Sequence, residues 1–166
     1  MATYQFTHQT MPTPEQFALL LKEGSTNNYF LFDFDQIDRR TKQMTPILII
    51  QIVNRIVQQF QPNKIILFGS WANNKVTPES DLDLLVIIDD SHSLAPLKRR
   101  NRFGKLLELF RYCLFSLDAI ILTISEVKQL QITNEGEWDL VLEILKEGKT
   151  IYDSEQKTER PCSTAN

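Results

Sequence analysis

Asp81 and Asp83 are separated by a single leucine in the stretch Phe68 to Val86, FGSWANNKVTPESDLDLLV. Strand side chains alternate between faces, so in an extended segment both carboxylates point one way while Leu82, Leu84 and Val86 point the other. At about 3.3 Å of rise per residue the two acids stand roughly 6 to 7 Å apart, and they repel unless a cation lies between them. Hard oxygen ligands with open positions suit Mg2+, which completes its shell with water and substrate phosphates. A third carboxylate, Asp118, lies in the apolar run Leu117 to Thr123 and shares a face with Ile120. A lone charge in such a run is costly, but on a strand beside Asp81 and Asp83 it completes a cluster that a divalent metal would neutralise. One or two metals held this way clamp the attacking and leaving oxygens of an in-line phosphoryl or nucleotidyl transfer. Gly69 and Ser70 supply the other half. Glycine lets the backbone approach a phosphate closely, and the Ser70 hydroxyl with nearby backbone N–H groups can hold the terminal phosphates.

The elements that must carry these residues are legible from pattern. Lys64 to Phe68 is a compact apolar strand running into the Gly-Ser turn. A polar connection with Asn73, Asn74 and Pro78 leads to a strand over Asp81 to Ile88, and Leu117 to Thr123 is a third core strand. Ahead of them, Thr45-Pro46 opens a helix with Ile49, Ile52, Val53, Ile56 and Phe60 at helical spacing, ending before Pro62. A further helix is expected from Ala95 to Arg111, with Lys98, Arg99, Arg100 and Arg102 near its start. Ser125 to Leu130 reads as a short helix. Asn134 and Glu137 form a capping box before Trp138, Leu142 and Leu145, closed by Gly148, and Lys149 to Asp153 adds a small edge strand.

Upstream, Thr13-Pro14-Glu15-Gln16 starts a short amphipathic helix with Phe17, Leu20 and Leu21. Tyr29 to Asp35 alternates as a strand, leaving Asp33 and Asp35 as surface acids with no Gly-Ser turn before them. The layout predicted is an N-terminal extension over residues 1–45, one catalytic domain over 46–153 and a disordered polar tail over 154–166.

Bulk properties narrow the function classes. A chain of 166 residues with 42% hydrophobic content supports one domain with appendages. A net charge of -3 and a pI near 5.4 argue against bulk electrostatic binding to nucleic acid or anionic membrane. No apolar run is long enough to span a membrane, and the N-terminus lacks a signal layout, so a cytoplasmic protein is expected. Cys113 and Cys162 stand alone in different settings, which fits a reducing compartment. His8 and His92 offer neither zinc spacing nor a nucleophile-base pair. Trp71 beside the turn is either a base-stacking platform or core.

In the order apolar strand, Gly69-Ser70, spacer, Ser80-Asp81-Leu82-Asp83-Leu84 and a later strand bearing Asp118, the chain resembles the minimal nucleotidyltransferases of the DNA polymerase β-like superfamily. The close, Ile144 to Tyr152, resembles that family too, and the likeness covers roughly residues 46 to 153. The resemblance implies an α/β (α+β) nucleotidyltransferase fold, a mixed β-sheet flanked by helices. It implies Asp81, Asp83 and Asp118 as Mg2+ ligands, Asp118 also helping to activate the attacking hydroxyl, and Ser70 holding the nucleoside triphosphate. The implied reaction moves AMP from ATP to an acceptor hydroxyl. Many stand-alone members resemble antitoxins of HEPN-MNT toxin-antitoxin pairs, which points to a tyrosine of a HEPN-domain toxin as acceptor. The alternatives are a small hydroxylated acceptor, whose pocket the N-terminal extension or a homodimer partner could supply, and a non-catalytic antitoxin that neutralises its partner by binding. Where many members follow Gly-Ser-x-Ala with Arg and Gly, this chain has Asn73 and Asn74, which removes a fixed positive charge near the phosphates. The cluster Lys98 to Arg102 is the candidate replacement.

Overall fold

The computed structural model describes residues 40–133 and 140–155. Helix α1, Pro46–Phe60, is opened by Thr45, whose extended backbone (φ -131°) lets its hydroxyl accept from Leu48 N at 3.2 Å, with Pro46 at the first helical position. It ends at Gln61, which turns into the left-handed region (φ 48°) while its N–H reaches Val57 O at 3.0 Å. The apolar stripe Leu48, Ile49, Ile52, Val53, Ile56 and Phe60 is buried.

The chain then runs β1 (Lys64–Phe68), the one-turn helix α2 (Gly69–Ala72), β2 (Leu82–Ile88), α3 (Arg99–Glu108), β3 (Leu117–Thr123), α4 (Ile124–Thr133), α5 (Leu140–Glu147) and β4 (Lys149–Asp153). The four strands form one mixed sheet in the order β3-β2-β1-β4. β1 is antiparallel to both β2 and β4, and β2 is parallel to β3. β4 therefore lies at an edge, as its sequence suggests.

Both faces of the sheet are covered, which explains why β2 is apolar on both sides beyond Asp83. On one face Ile65, Leu67, Leu82, Leu84, Val86, Ile88 and Ile121 pack with α1, Trp71 and Leu106. On the other, Ile66, Leu85, Ile87 and Leu122 pack with Val127 of α4 and Val141 and Ile144 of α5. Gly148 makes the return from α5 to β4 feasible, because a Cβ there would stand 2.5 Å from both Ile144 O and Ile66 Cγ2.

Three boundaries differ from the sequence expectation. β2 begins at Leu82, so Asp81 sits one residue outside the strand, since the β1 ladder reaches only to Asp83 and the β3 ladder only to Leu82. α3 spans 99–108 rather than 95–111: the carbonyls of Leu94 and Ala95 accept side-chain bonds from Arg102, and the chain turns at Phe110. α4 is longer than 125–130, because Thr123 and Glu126 form a reciprocal capping box, Glu126 N to Thr123 Oγ1 at 3.2 Å and Thr123 N to Glu126 Oε2 at 2.8 Å. The features expected within 1–39, the box at Asn134 and Glu137, Trp138, Cys162 and the tail from 156 onward lie outside the described residues.

Candidate active site

Phe68, Asp83 and Asp118 stand side by side across β1, β2 and β3. Phe68 pairs with Asp83 in the antiparallel ladder, and Asp83 pairs with Asp118 in the parallel one. Neighbouring strands lie about 4.8 Å apart, so the backbone fixes the spacing of the two carboxylates. Leu82 N donates to Ser116 O at 3.1 Å where the two strands enter the sheet. Asp118 and Asp81 are exposed, whereas Asp83 is partly buried.

Burial, then the charge of Asp118, then that of Asp81 push the Asp83 carboxyl above the usual aspartate range. Asp83 thus feels both other acids, and a cation would relieve all three costs. Among the described residues no group of three acidic, His or Cys side chains is gathered as a ready-made metal cage. The adjacent pair Asp83 and Asp118 nevertheless fits Mg2+, which is commonly held by one or two carboxylates with substrate phosphates and water completing the shell.

Gly69 explains the intimacy of the turn with this pair. Its φ is +69°, and a Cβ there would fall well inside contact distance of Asp83 Oδ2, with Cγ at 3.0 Å. The backbone at Gly69 therefore lies directly against the carboxylate. Ser70 follows in the single turn of α2, where Gly69 O accepts from Asn73 N (3.2 Å) and Ser70 O from Lys75 N (3.0 Å). Asn74 adopts φ +55°, a conformation that Gly and Asn tolerate best, so this half of the departure from the Arg-Gly pattern has a backbone reason. Asn73 is exposed and brings no charge.

Trp71 is 2% exposed and belongs to the core beneath α1, so the core reading holds over the base-stacking one. The basic cluster is also corrected. Arg102 is 3% exposed and spends its guanidinium inside the fold, donating to Leu94 O (3.1 Å), Ala95 O (2.6 Å), Ile121 O (3.1 Å) and both oxygens of Glu126 (2.5 and 3.3 Å). Its contact at Ile121 lies three residues along β3 from Asp118, about 10 Å. Lys98, Arg99 and Arg100 are exposed at the start of α3. Burial opposes the charge on Glu126, but the bonds from Arg102 and from Thr123 N and the charges of Arg102 and Arg99 outweigh it and hold the carboxyl below its ordinary value. Sequence reading missed this pair, although Thr-x-x-Glu at Thr123 to Glu126 was a readable signal.

His92 is likewise structural. Its Nδ1 accepts from Leu94 N at 3.0 Å, which leaves Nε2 to carry the proton and donate to Phe60 O at 2.8 Å.

A glycine turn thus lies against one of two aspartates paired in register across β2 and β3 of the mixed sheet. The family model "Polymerase beta, Nucleotidyltransferase" matches residues 50–157, and the chain belongs to that family of nucleotidyltransferases. A Methanocaldococcus jannaschii protein, assigned by name to the protein adenylyltransferases, is 28% identical over 104 residues, covering 61% of this chain and 92% of its own length. A Sulfolobus solfataricus protein named as a nucleotidyltransferase, with a crystal structure at 1.40 Å, is 18% identical, with a TM-score of 0.43 over 64% of this chain and 78% of its own. Among the described residues no helix is long and apolar enough to cross a membrane.

Proposed function

We propose that the chain is an Mg2+-dependent adenylyltransferase that moves AMP from ATP to a protein hydroxyl, most simply a tyrosine of a HEPN-family toxin for which it serves as antitoxin. The observation that carries the reading is the register pairing of Asp83 with Asp118 beside Gly69. Asp83 and Asp118 would hold the metal with Asp81 completing the acidic set, and the ion would neutralise charge on the triphosphate. Ser70 and the backbone of the turn hold the phosphates. Asp118 would accept the proton of the incoming hydroxyl at its carboxylate, a role its exposure on the edge strand supports. The name of the Methanocaldococcus relative supports a protein acceptor. The family match over residues 50–157 supports a transferase domain at 46–153.

Neutral Asn73, together with the internal use of Arg102, favours one rival, a scaffold that neutralises its partner by contact alone. Labelled ATP, Mg2+ and the product of the adjacent gene decide between them. Transfer to the partner, lost when Asp81 and Asp83 are both changed to Ala, is the expected result. Neutralisation that survives the double change with no label on the partner would overturn catalysis.

A further inference from the structure

Asp81 is the acid of the set that no ladder holds: β2 begins at Leu82, whereas Asp83 pairs with both Phe68 and Asp118. An exposed side chain in such a place samples many positions, and ordering it on binding costs free energy. What precedes it, however, is a closed turn, Thr77-Pro78-Glu79-Ser80. Ser80 N donates to Thr77 O at 3.0 Å, and in return Thr77 N donates to Ser80 Oγ at 2.8 Å. The two hydroxyls meet at 3.3 Å, and Pro78 presets φ at the second turn position, where β-turns favour proline. Main-chain and side-chain bonds between the same two residues leave Ser80 few conformations.

Both flanks of the turn are anchored. Val76 packs against the core on one side, and on the other Leu82 is 0% exposed with its N–H on Ser116 O at 3.1 Å. The turn itself covers no core, since Thr77, Pro78 and Glu79 are exposed. Its closure serves no packing, and the residue it delivers is Asp81, near enough for its charge to act on Asp83.

We infer, on the metal-dependent transfer proposed above, that the Thr77–Ser80 turn positions Asp81, with the Ser80 hydroxyl as the lock that holds this acid toward the Asp83–Asp118 pair. Thr77 and Ser80 are positioning residues and touch neither substrate nor metal. A carboxylate fixed before the ion arrives loses less freedom on binding it. Ser80→Ala leaves Thr77 N to water and frees the residue before Asp81, while the ladders of Asp83 and Asp118 stay intact. The effect of Ser80 therefore runs through Asp81.

Mn2+, a paramagnetic stand-in for Mg2+, is the probe, with its binding to the full chain read by electron paramagnetic resonance. Ser80→Ala should weaken Mn2+ binding about tenfold, the scale of losing a group that orients a metal ligand, while melting without metal stays close to the parent's. Ser80→Thr keeps the oxygen and should keep the parent's affinity. In an Asp81→Ala chain, adding Ser80→Ala should weaken binding no further. Parent-like binding by Ser80→Ala, with Asp81→Ala impaired, would overturn the positioning role and leave the metal site standing. An equal loss from Ser80→Ala with and without Asp81 would overturn it too, because the hydroxyl would then act on the fold at large. Mn2+ binding that survives Asp81→Ala and Asp83→Ala together would overturn the metal site and the positioning role with it.

Discussion

Asp83 and Asp118 are direct cross-strand neighbours in the parallel ladder of β2 and β3, and the backbone at Gly69 closes against the first of them. The pair is costly to the apo fold, because Asp83 is desolvated and repelled by two like charges. Asp83→Asn should therefore raise the melting temperature at neutral pH while lowering nucleotidyl transfer by at least about 100-fold, the scale of losing several kcal/mol of charge stabilisation. Thermal melts with and without Mg2+ check both halves: the ion should stabilise the parent chain more than the variant.

Gly69→Ala should lose on both counts. The left-handed backbone and the occupied space against Asp83 make a methyl group cost about 1 to 3 kcal/mol, and the displaced carboxylate should cut transfer more than tenfold. Denaturant midpoints and initial rates measured on one preparation would show the two effects together.

Arg102 ties α3 to β3 and α4, so its removal leaves Glu126 and three carbonyls without their donor. Arg102→Ala should destabilise by roughly 3 to 5 kcal/mol, as expected when one partner of a buried pair is deleted. Its folded fraction should keep the parent KM for nucleotide, which distinguishes a structural clamp from a phosphate ligand.

Glu126 gives a pH signature. Its folded-state carboxyl titrates below its ordinary value, so its contribution is fully present above the unfolded value, near 4.5, and is lost as pH falls through the lower folded one. Urea unfolding of the parent and of Glu126→Gln should differ at pH 7 and converge as the solution is acidified below that range. A gap that widened on acidification would contradict the pairing.

Trp71→Phe should leave nucleotide KM within about twofold, because the indole lies in the core rather than on a bound base. Its Nε1 is buried with no hydrogen-bond partner among the described residues, so losing that N–H offsets part of the lost packing. Equilibrium titration with a fluorescent nucleotide gives the measurement.

Elements with strong local signals were legible in the sequence. Thr45-Pro46 followed by a helical stripe gives α1, and the apolar runs Lys64–Phe68 and Leu117–Thr123 give β1 and β3 with their observed bounds. What depends on distant partners was not. The start of α3 is set by Arg102 reaching carbonyls seven and eight residues upstream and Ile121 nineteen residues downstream, which no periodicity encodes. The nearness of Asp118 to Asp83 was expected from charge, but the pairing of these two, with Asp81 outside the strand, is a matter of register.

The parallel ladder also sets where this chain tolerates changes in length. Deleting or inserting one residue within β2 or β3 would turn Asp83 or Asp118 to the opposite face, and a shift of two would set Asp118 opposite Leu85 or Asp81 instead of Asp83. The connection at 73–80 carries no such constraint, whereas buried Phe110 and Phe115 and the bond from Leu82 N to Ser116 O hold 109–116. The loop at 73–80 can therefore change in length while the spacing of Asp83 and Asp118 stays fixed.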